Sequence, residues 1–228
     1  MIYITGDTHI PIDIAKLSSK RFPQQKNMTE DDYLIICGDF GGVWDASNQE
    51  KYYIKWFESK NFTTLFVDGN HENFDMLNKL PIVDFCGGKA HKISDKIYHL
   101  MRGNVFEIDE KKIFAFGGAS SHDKELRKEG KNWWKEELPS VEEIEKAQKI
   151  IDLQEMKVDY IITHCASSSI QNMVKEGYEK NILTEYFEQL ENSLIYKKWF
   201  FGHYHTDLVV DKKHVALFDK VVCLEDVE

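Results

Sequence analysis

A chain of 228 residues, 42% hydrophobic and 30% charged, has the balance of a globular protein and the length for one well-buried domain. Its formal net charge of -10, with Arg21, Arg102 and Arg127 as its only arginines, argues against a broad phosphate-neutralising surface for long nucleic acid. No apolar run approaches the ~20 residues of a membrane span, and Met1–Thr5 runs straight into β-branched residues without a basic region, so membrane and secreted classes are set aside. Cys37, Cys86, Cys165 and Cys223 form no C-x-x-C pair and read as free thiols of a cytoplasmic protein.

In chain order, Ile2–Thr5 reads as a strand, followed by a helix around Ile12–Lys20. Tyr33–Cys37 is a second strand, followed by a helix over Gln49–Ser59 with Tyr52, Tyr53, Trp56 and Phe57 on a 3.6-residue period. Phe62–Val67 and a helix over Asn73–Leu80 repeat the pattern, which is that of α/β architecture. Lys96–Leu100, Val105–Ile108 and Lys112–Phe116, separated by turn residues, suggest antiparallel hairpins. Pro139-Ser140 opens a long helix over Val141–Met156 with Ser140 as N-cap. A strand at Tyr160–Thr163, a helix over Asn181–Glu191, and strands at Lys198–Phe201, Leu208–Val210, His214–Phe218 and Val221–Leu224 complete the chain. No linker, repeat or compositional shift divides it, so residues 1–228 are expected to form one domain.

Five clusters of metal-binding side chains each follow a predicted strand: Gly6-Asp7-Thr8-His9, Gly38-Asp39, Gly69-Asn70-His71-Glu72, His164, and Gly202-His203-Tyr204-His205. Functional groups in α/β sheets gather beyond the carboxyl ends of strands, so five such loops can converge. Asp7 and His9, like His203 and His205, are i,i+2 pairs able to chelate across a tight loop, and the glycines let backbone approach an ion or phosphate. Two carboxylates, one amide and four imidazoles, with no thiolate, suit Mn, Fe, Zn or Ni. Seven ligands are too many for one catalytic zinc and about right for two ions sharing a carboxylate.

In that order and spacing, from residue 6 to residue 205, the five blocks resemble the calcineurin-like metallophosphoesterase superfamily, in its small single-domain form. The resemblance implies a four-layer αββα sandwich, two mixed β-sheets flanked by helices, with a di-metal site at one rim. Carried over by motif, Asp7, His9 and His205 would hold one ion, Asn70, His164 and His203 the other, and Asp39 would bridge them. The implied activity is hydrolysis of small phosphomonoesters or phosphodiesters by metal-activated hydroxide, with Mn as the expected ion. His71 would be the catalytic residue at the leaving oxygen.

The chain departs from the pattern at Gly38-Asp39-Phe40-Gly41-Gly42. Many members carry at the position of Gly42 an Asp that orients the catalytic His; Asp45 and Asp123 are the candidate substitutes. Val43 stands where the protein Ser/Thr phosphatase branch has Arg, which disfavours that branch. The loop after Gly117-Gly118 carries His122, Arg127, Trp133 and Trp134, read either as a substrate wall, with Trp stacking on a base and Arg127 contacting phosphate, or as helix packing. His91, His99 and His214 are left as surface or hairpin residues. The alternatives are a nucleotide phosphodiesterase or nuclease, and a non-catalytic scaffold. The retained ligands and His71 weigh against the scaffold; oligomeric state stays open.

Overall fold

The computed structural model describes residues 1–227. Its strands are β1 (Ile2–Thr5), β2 (Tyr33–Ile36), β3 (Thr63–Phe66), β4 (Ile82–Phe85), β5 (Gly88–Ser94), β6 (Ile97–Leu100), β7 (Asn104–Ile108), β8 (Lys111–Phe116), β9 (Tyr160–Thr163), β10 (Lys198–Phe201), β11 (Leu208–Val209), β12 (His214–Ala216) and β13 (Val221–Cys223). The helices are α1 (Asn48–Glu58), α2 (Phe74–Leu77), α3 (Val141–Leu153), α4 (Ser168–Val174) and α5 (Ile182–Ser193). They build two mixed sheets, ordered β13-β1-β2-β3-β6-β5-β4 and β11-β12-β10-β9-β8-β7. In the first, β1, β2, β3 and β6 run parallel; in the second, β8, β9, β10 and β12 do.

Successive side chains of a strand face opposite sides, and this period sorts the core into three layers. Ile2, Ile4, Ile35, Leu65 and Leu100 of the first sheet meet Phe106, Ile113, Tyr160, Ile162 and Phe200 of the second. The intervening Tyr3, Leu34, Ile36 and Phe66 face outward and pack with Phe57 of α1. On the far side, Phe114, Phe116, Ile161, Trp199 and Phe201 pack with Ala147 and Ile151 of α3, Ile170 of α4, and Leu183, Phe187 and Leu190 of α5. Each fully buried Phe or Leu contributes about 1.5–3 kcal/mol, so α1, amphipathic and short, is held chiefly by Phe57 and the residues beside it. The helices start where capping chemistry allows. Ser47 accepts from Glu50 N–H, and Ser140 with Glu143 forms a reciprocal capping box.

Four expectations change. Residues 12–20 form only one 3-10 turn, Ile14–Leu17, because Lys16 turns inward, where its ammonium donates to the carbonyls of Gly6, Asp7 and Phe218. The central strands make two hairpins, β5–β6 and β7–β8, but none between β6 and β7, where the chain changes sheet; on its other edge β6 pairs in parallel with β3. The β4–β5 hairpin and α4 are additional elements. His91 and His99 do face each other across the β5–β6 hairpin, but they and His214 are buried rather than superficial, each ring with a polar partner: His91 with His99, His99 with Asp68, and His214 with Asp211 and Tyr196. Among the described residues no helix is long and apolar enough to cross a membrane, and all four cysteines are free.

Candidate functional site

The loops leaving the carboxyl ends of β1, β2 and β3 in one sheet and of β9 and β10 in the other meet at one rim of the sandwich. Backbone bonds lash them together. Thr8 and His9 N–H donate to Asp39 O at 3.1 and 2.8 Å, and Gly202 N–H donates to His164 O at 2.9 Å. Glu72, fully buried, accepts from Phe40 N–H at 2.8 Å and so ties the third loop to the second. Burial, with Asp39 next in effect, raises the Glu72 pKa well above the usual range.

The two carboxylates at the centre are buried and held by one oxygen each. Asp7 Oδ1 accepts from His203 N–H at 3.0 Å, and Asp39 Oδ1 from His71 N–H at 2.7 Å. Side chains at Gly69 or Gly202 would strike the Asp39 and Asp7 carboxylates respectively, so these contacts need glycine. The second oxygens face imidazoles: Asp39 Oδ2 lies 3.1 Å from His9 Nε2 and 3.4 Å from His164 Nε2. Asp7 Oδ2, 3.2 Å from His205 Nε2, makes no hydrogen bond despite being buried. Such an orphaned anionic oxygen is costly unless a cation takes it up.

The imidazoles are aimed from behind. His9 Nδ1 is 2.8 Å from Asp13 Oδ2, and His164 Nδ1 is 2.8 Å from Cys37 O. A ring whose Nδ1–H is spent on a carboxylate or carbonyl presents its Nε2 lone pair forward, the usual support of a ligating histidine. His164 Nε2 is also 3.1 Å from Asn70 Oδ1, whose amide donates to Ser121 Oγ at 3.2 Å. His203 lies with its ring centroid 5.0 Å from that of His164.

Without a cation, the charges compensate one another. Burial opposes the His164 charge, but Asp39 and Asp7 outweigh it and hold the ring's pKa at about 10. Burial and then the His164 charge push His203 down to about 3. Burial would raise Asp39, yet His164 and His9 keep it well below the usual carboxylate range. His9, Asp39, His203 and His205 all adopt left-handed backbone, with φ of 34°, 47°, 67° and 48°. Strain of this kind, roughly 1–3 kcal/mol per residue, collects where a constellation of side chains has to be assembled. Asp7, His9 and His205, then His9, Asp39 and His71, and then Asp7, Asp39 and His164, each bring candidate ligand atoms within 4.8 Å of one another. The donor set, its convergence and the orphaned Asp7 oxygen fit divalent cations.

His71 borders two hollows. One, about 380 Å³, is lined by Asp39, Asn70, His122, Arg127, Lys175, Tyr178 and His203; the other is a groove of about 590 Å³ that includes Ile10, Trp44 and Phe218. His122 and Arg127 thus reach the site, whereas Trp133 and Trp134 are absent from both linings. Trp134 is 4% exposed, donates to Asp75 Oδ2 at 3.0 Å and packs edge-on against Trp44, as a packing residue does. The ring of His71 is met by Arg127, whose Nη1 lies 3.0 Å from Nδ1. Asp123 acts one step back, accepting from Arg127 Nε at 2.7 Å, and Asp45 is turned to Ser47 N–H. Lys175, Tyr178 and Asp13 went unread in the sequence; of these only Asp13, four residues after His9, left a local signal.

The profile of the calcineurin-like phosphoesterase family matches residues 1–207. No curated protein matches the chain. Among solved structures, a Staphylococcus aureus protein provisionally described as a 5′-nucleotidase, in complex with alpha-ketoglutarate, aligns at 14% identity and a TM-score of 0.49. The alignment covers 95% of this chain and 48% of that one, so the chain spans about half the length of that protein. A likeness at this level carries nothing about substrate.

Proposed function

The chain belongs to the calcineurin-like phosphoesterase family, and from that premise we propose a di-metal hydrolase of small phosphomonoesters or phosphodiesters, built as one domain and using manganese. Asp7, His9 and His205, whose ligand atoms lie together, would hold one cation; by motif, Asn70, His164 and His203 would hold the other, and Asp39 both. The single observation that carries this reading is the posture of Asp39. One of its oxygens is fixed by His71 N–H, and the other lies between His9 Nε2 and His164 Nε2. Bound divalent cations would neutralise phosphoryl oxygens and acidify water.

The remaining work falls to the chain. Its buried carboxylates exclude competing anions unless cations are present. Arg127 and Lys175 border the hollow where a phosphoryl group would sit, and His71 stands at the junction of that hollow with the Trp44 groove. That junction makes His71 the group facing a leaving oxygen whose organic part lies along Ile10, Trp44 and Phe218. The same groove favours an aryl group or nucleobase as that organic part, which keeps nucleotide phosphodiesters as the second reading.

The test is hydrolysis of p-nitrophenyl phosphate and bis(p-nitrophenyl) phosphate by metal-stripped protein before and after adding Mn. Cation-restored turnover is expected, and the ratio of the two rates separates monoesterase from diesterase. Two bound cations with no hydrolysis of either ester would return the chain to a binding role.

A further inference from the structure

The residue that holds His71 is of the opposite charge to the one its family pattern supplies. Position 42 is glycine, and the ring nitrogen Nδ1 instead lies 3.0 Å from Arg127 Nη1. Arg127 is itself fixed, by Asp123 Oδ1 at 2.7 Å from Nε and by the carbonyl of Asn132 at 3.2 Å from Nη1. The loop closes around it through Lys128 N–H to Asn132 Oδ1 at 2.7 Å. A guanidinium has only donors and keeps its proton. Nδ1 must therefore accept, and the ring hydrogen has to reside on Nε2. A carboxylate in the same place would impose the reverse, a hydrogen on Nδ1.

The geometry points to Arg127 as a positioning residue that fixes His71 in its Nε2–H tautomer, so that the ring serves a leaving oxygen as a neutral hydrogen-bond donor. The substrates so favoured are those whose leaving group departs as a stabilised anion, an aryl ester or a phosphoanhydride rather than an alkyl ester. This inference rests on the phosphoesterase reading above. In the step it describes, a water oxygen bonds to phosphorus and the ester P–O bond breaks. The leaving oxygen keeps the bonding pair, steadied by the His71 N–H. It then takes from solvent the equivalent of one water proton, the other staying on the phosphate product. An alkyl oxide needs its proton while the bond is breaking, which a neutral imidazole N–H supplies poorly; an aryl oxide or phosphate does not.

Two measurements test it. In zinc-loaded protein with ¹⁵N-labelled histidine, ring correlations assigned by their loss in His71→Gln should show hydrogen on Nε2 and none on Nδ1 of His71. Hydrogen on Nδ1 would overturn the inference. In Arg127→Ala, kcat for aryl phosphates should fall about 10²-fold, the scale of a misplaced group, with KM little changed. Arg127→Lys should not rescue it, since one ammonium cannot span Asp123 and His71, and Asp123→Asn should show a smaller loss of the same kind. A raised KM with unchanged kcat would instead make Arg127 a phosphate contact and sink the positioning role. If the wild-type protein cleaves no phosphate ester, the phosphoesterase reading fails, while the spectrum still decides the tautomer.

Discussion

Replacing Asp39 by asparagine isolates the one position that two cations are proposed to share. Asparagine keeps the volume and an oxygen for the His71 N–H at 2.7 Å, but loses the anionic oxygen lying 3.1 Å from His9 Nε2 and 3.4 Å from His164 Nε2. The quantity to read is the difference in Tm with and without Mn, so that any change in the intrinsic stability of the variant cancels. A cation at 100 times its Kd adds about 2.7 kcal/mol per site, or about 5 kcal/mol for two. In a chain of this length that raises Tm by roughly 10–20 °C. If each site weakens about 100-fold, a loss that even outer partners of a ligand can cause, the same Mn leaves about 0.4 kcal/mol per site. The shift then shrinks to about 2–3 °C. Differential scanning calorimetry at matched Mn, with cation content measured on the same samples, decides it. A full shift in Asp39→Asn refutes the assignment of Asp39 to either ion, and a halved shift reduces it to a ligand of one.

Three other outcomes are expected. His71→Ala should retain both cations, counted by elemental analysis, and lose turnover on aryl phosphates, where its N–H steadies the departing anion; unchanged turnover would place His71 outside the reaction. Trp134→Ala should cost about 3–5 kcal/mol of stability as a buried aromatic while leaving KM for p-nitrophenyl phosphate unchanged, and a raised KM would restore the stacking role. The third concerns pH. Burial, and then the charge of His99, push the His91 pKa down to about 4, against about 6.5 in an unfolded chain. The stability this neutral ring contributes is therefore present above pH ~6.5 and lost as pH falls through about 4, at most roughly 3 kcal/mol. Thermal melts of cation-free protein should be flatter across that window in His91→Gln, and parallel profiles would exonerate His91.

The ligand loops were legible because each is a short motif attached to a strand whose apolar alternation is equally local, as in Ile2–Thr5 followed by Asp7 and His9. What stayed hidden depends on distance or on an edge. The β4 strand, at the margin of its sheet, sets only half-buried Val83 and Phe85 against exposed Ile82 and Asp84, and the exposed Ile82 blurs its two-residue period. The contact of Arg127 with His71 spans 56 residues and arises from the closure of the 123–132 loop, which no periodicity records. His99 looks polar in sequence and is buried in structure because Asp68, 31 residues away, pairs with it. The Trp133-Trp134 doublet stayed open for a simple reason: a stacking face and a packing face have the same composition, and only the burial of Trp134 against Trp44 and Asp75 speaks for packing there.

The seven candidate ligands are divided between the layers. Asp7, His9, Asp39 and Asn70 leave strands of one sheet, and His164, His203 and His205 leave strands of the other. Between those sheets lies an interdigitated apolar seam of Ile, Leu and Phe, and backbone bonds such as Glu107 N–H to Cys86 O and Gly118 N–H to Asp68 O also cross from one layer to the other. Cations gripped from both sides would act as rivets at one end of that seam. Bound there, they would add a tie between the two layers where the candidate ligands meet, so the stiffness of that rim would follow what it holds.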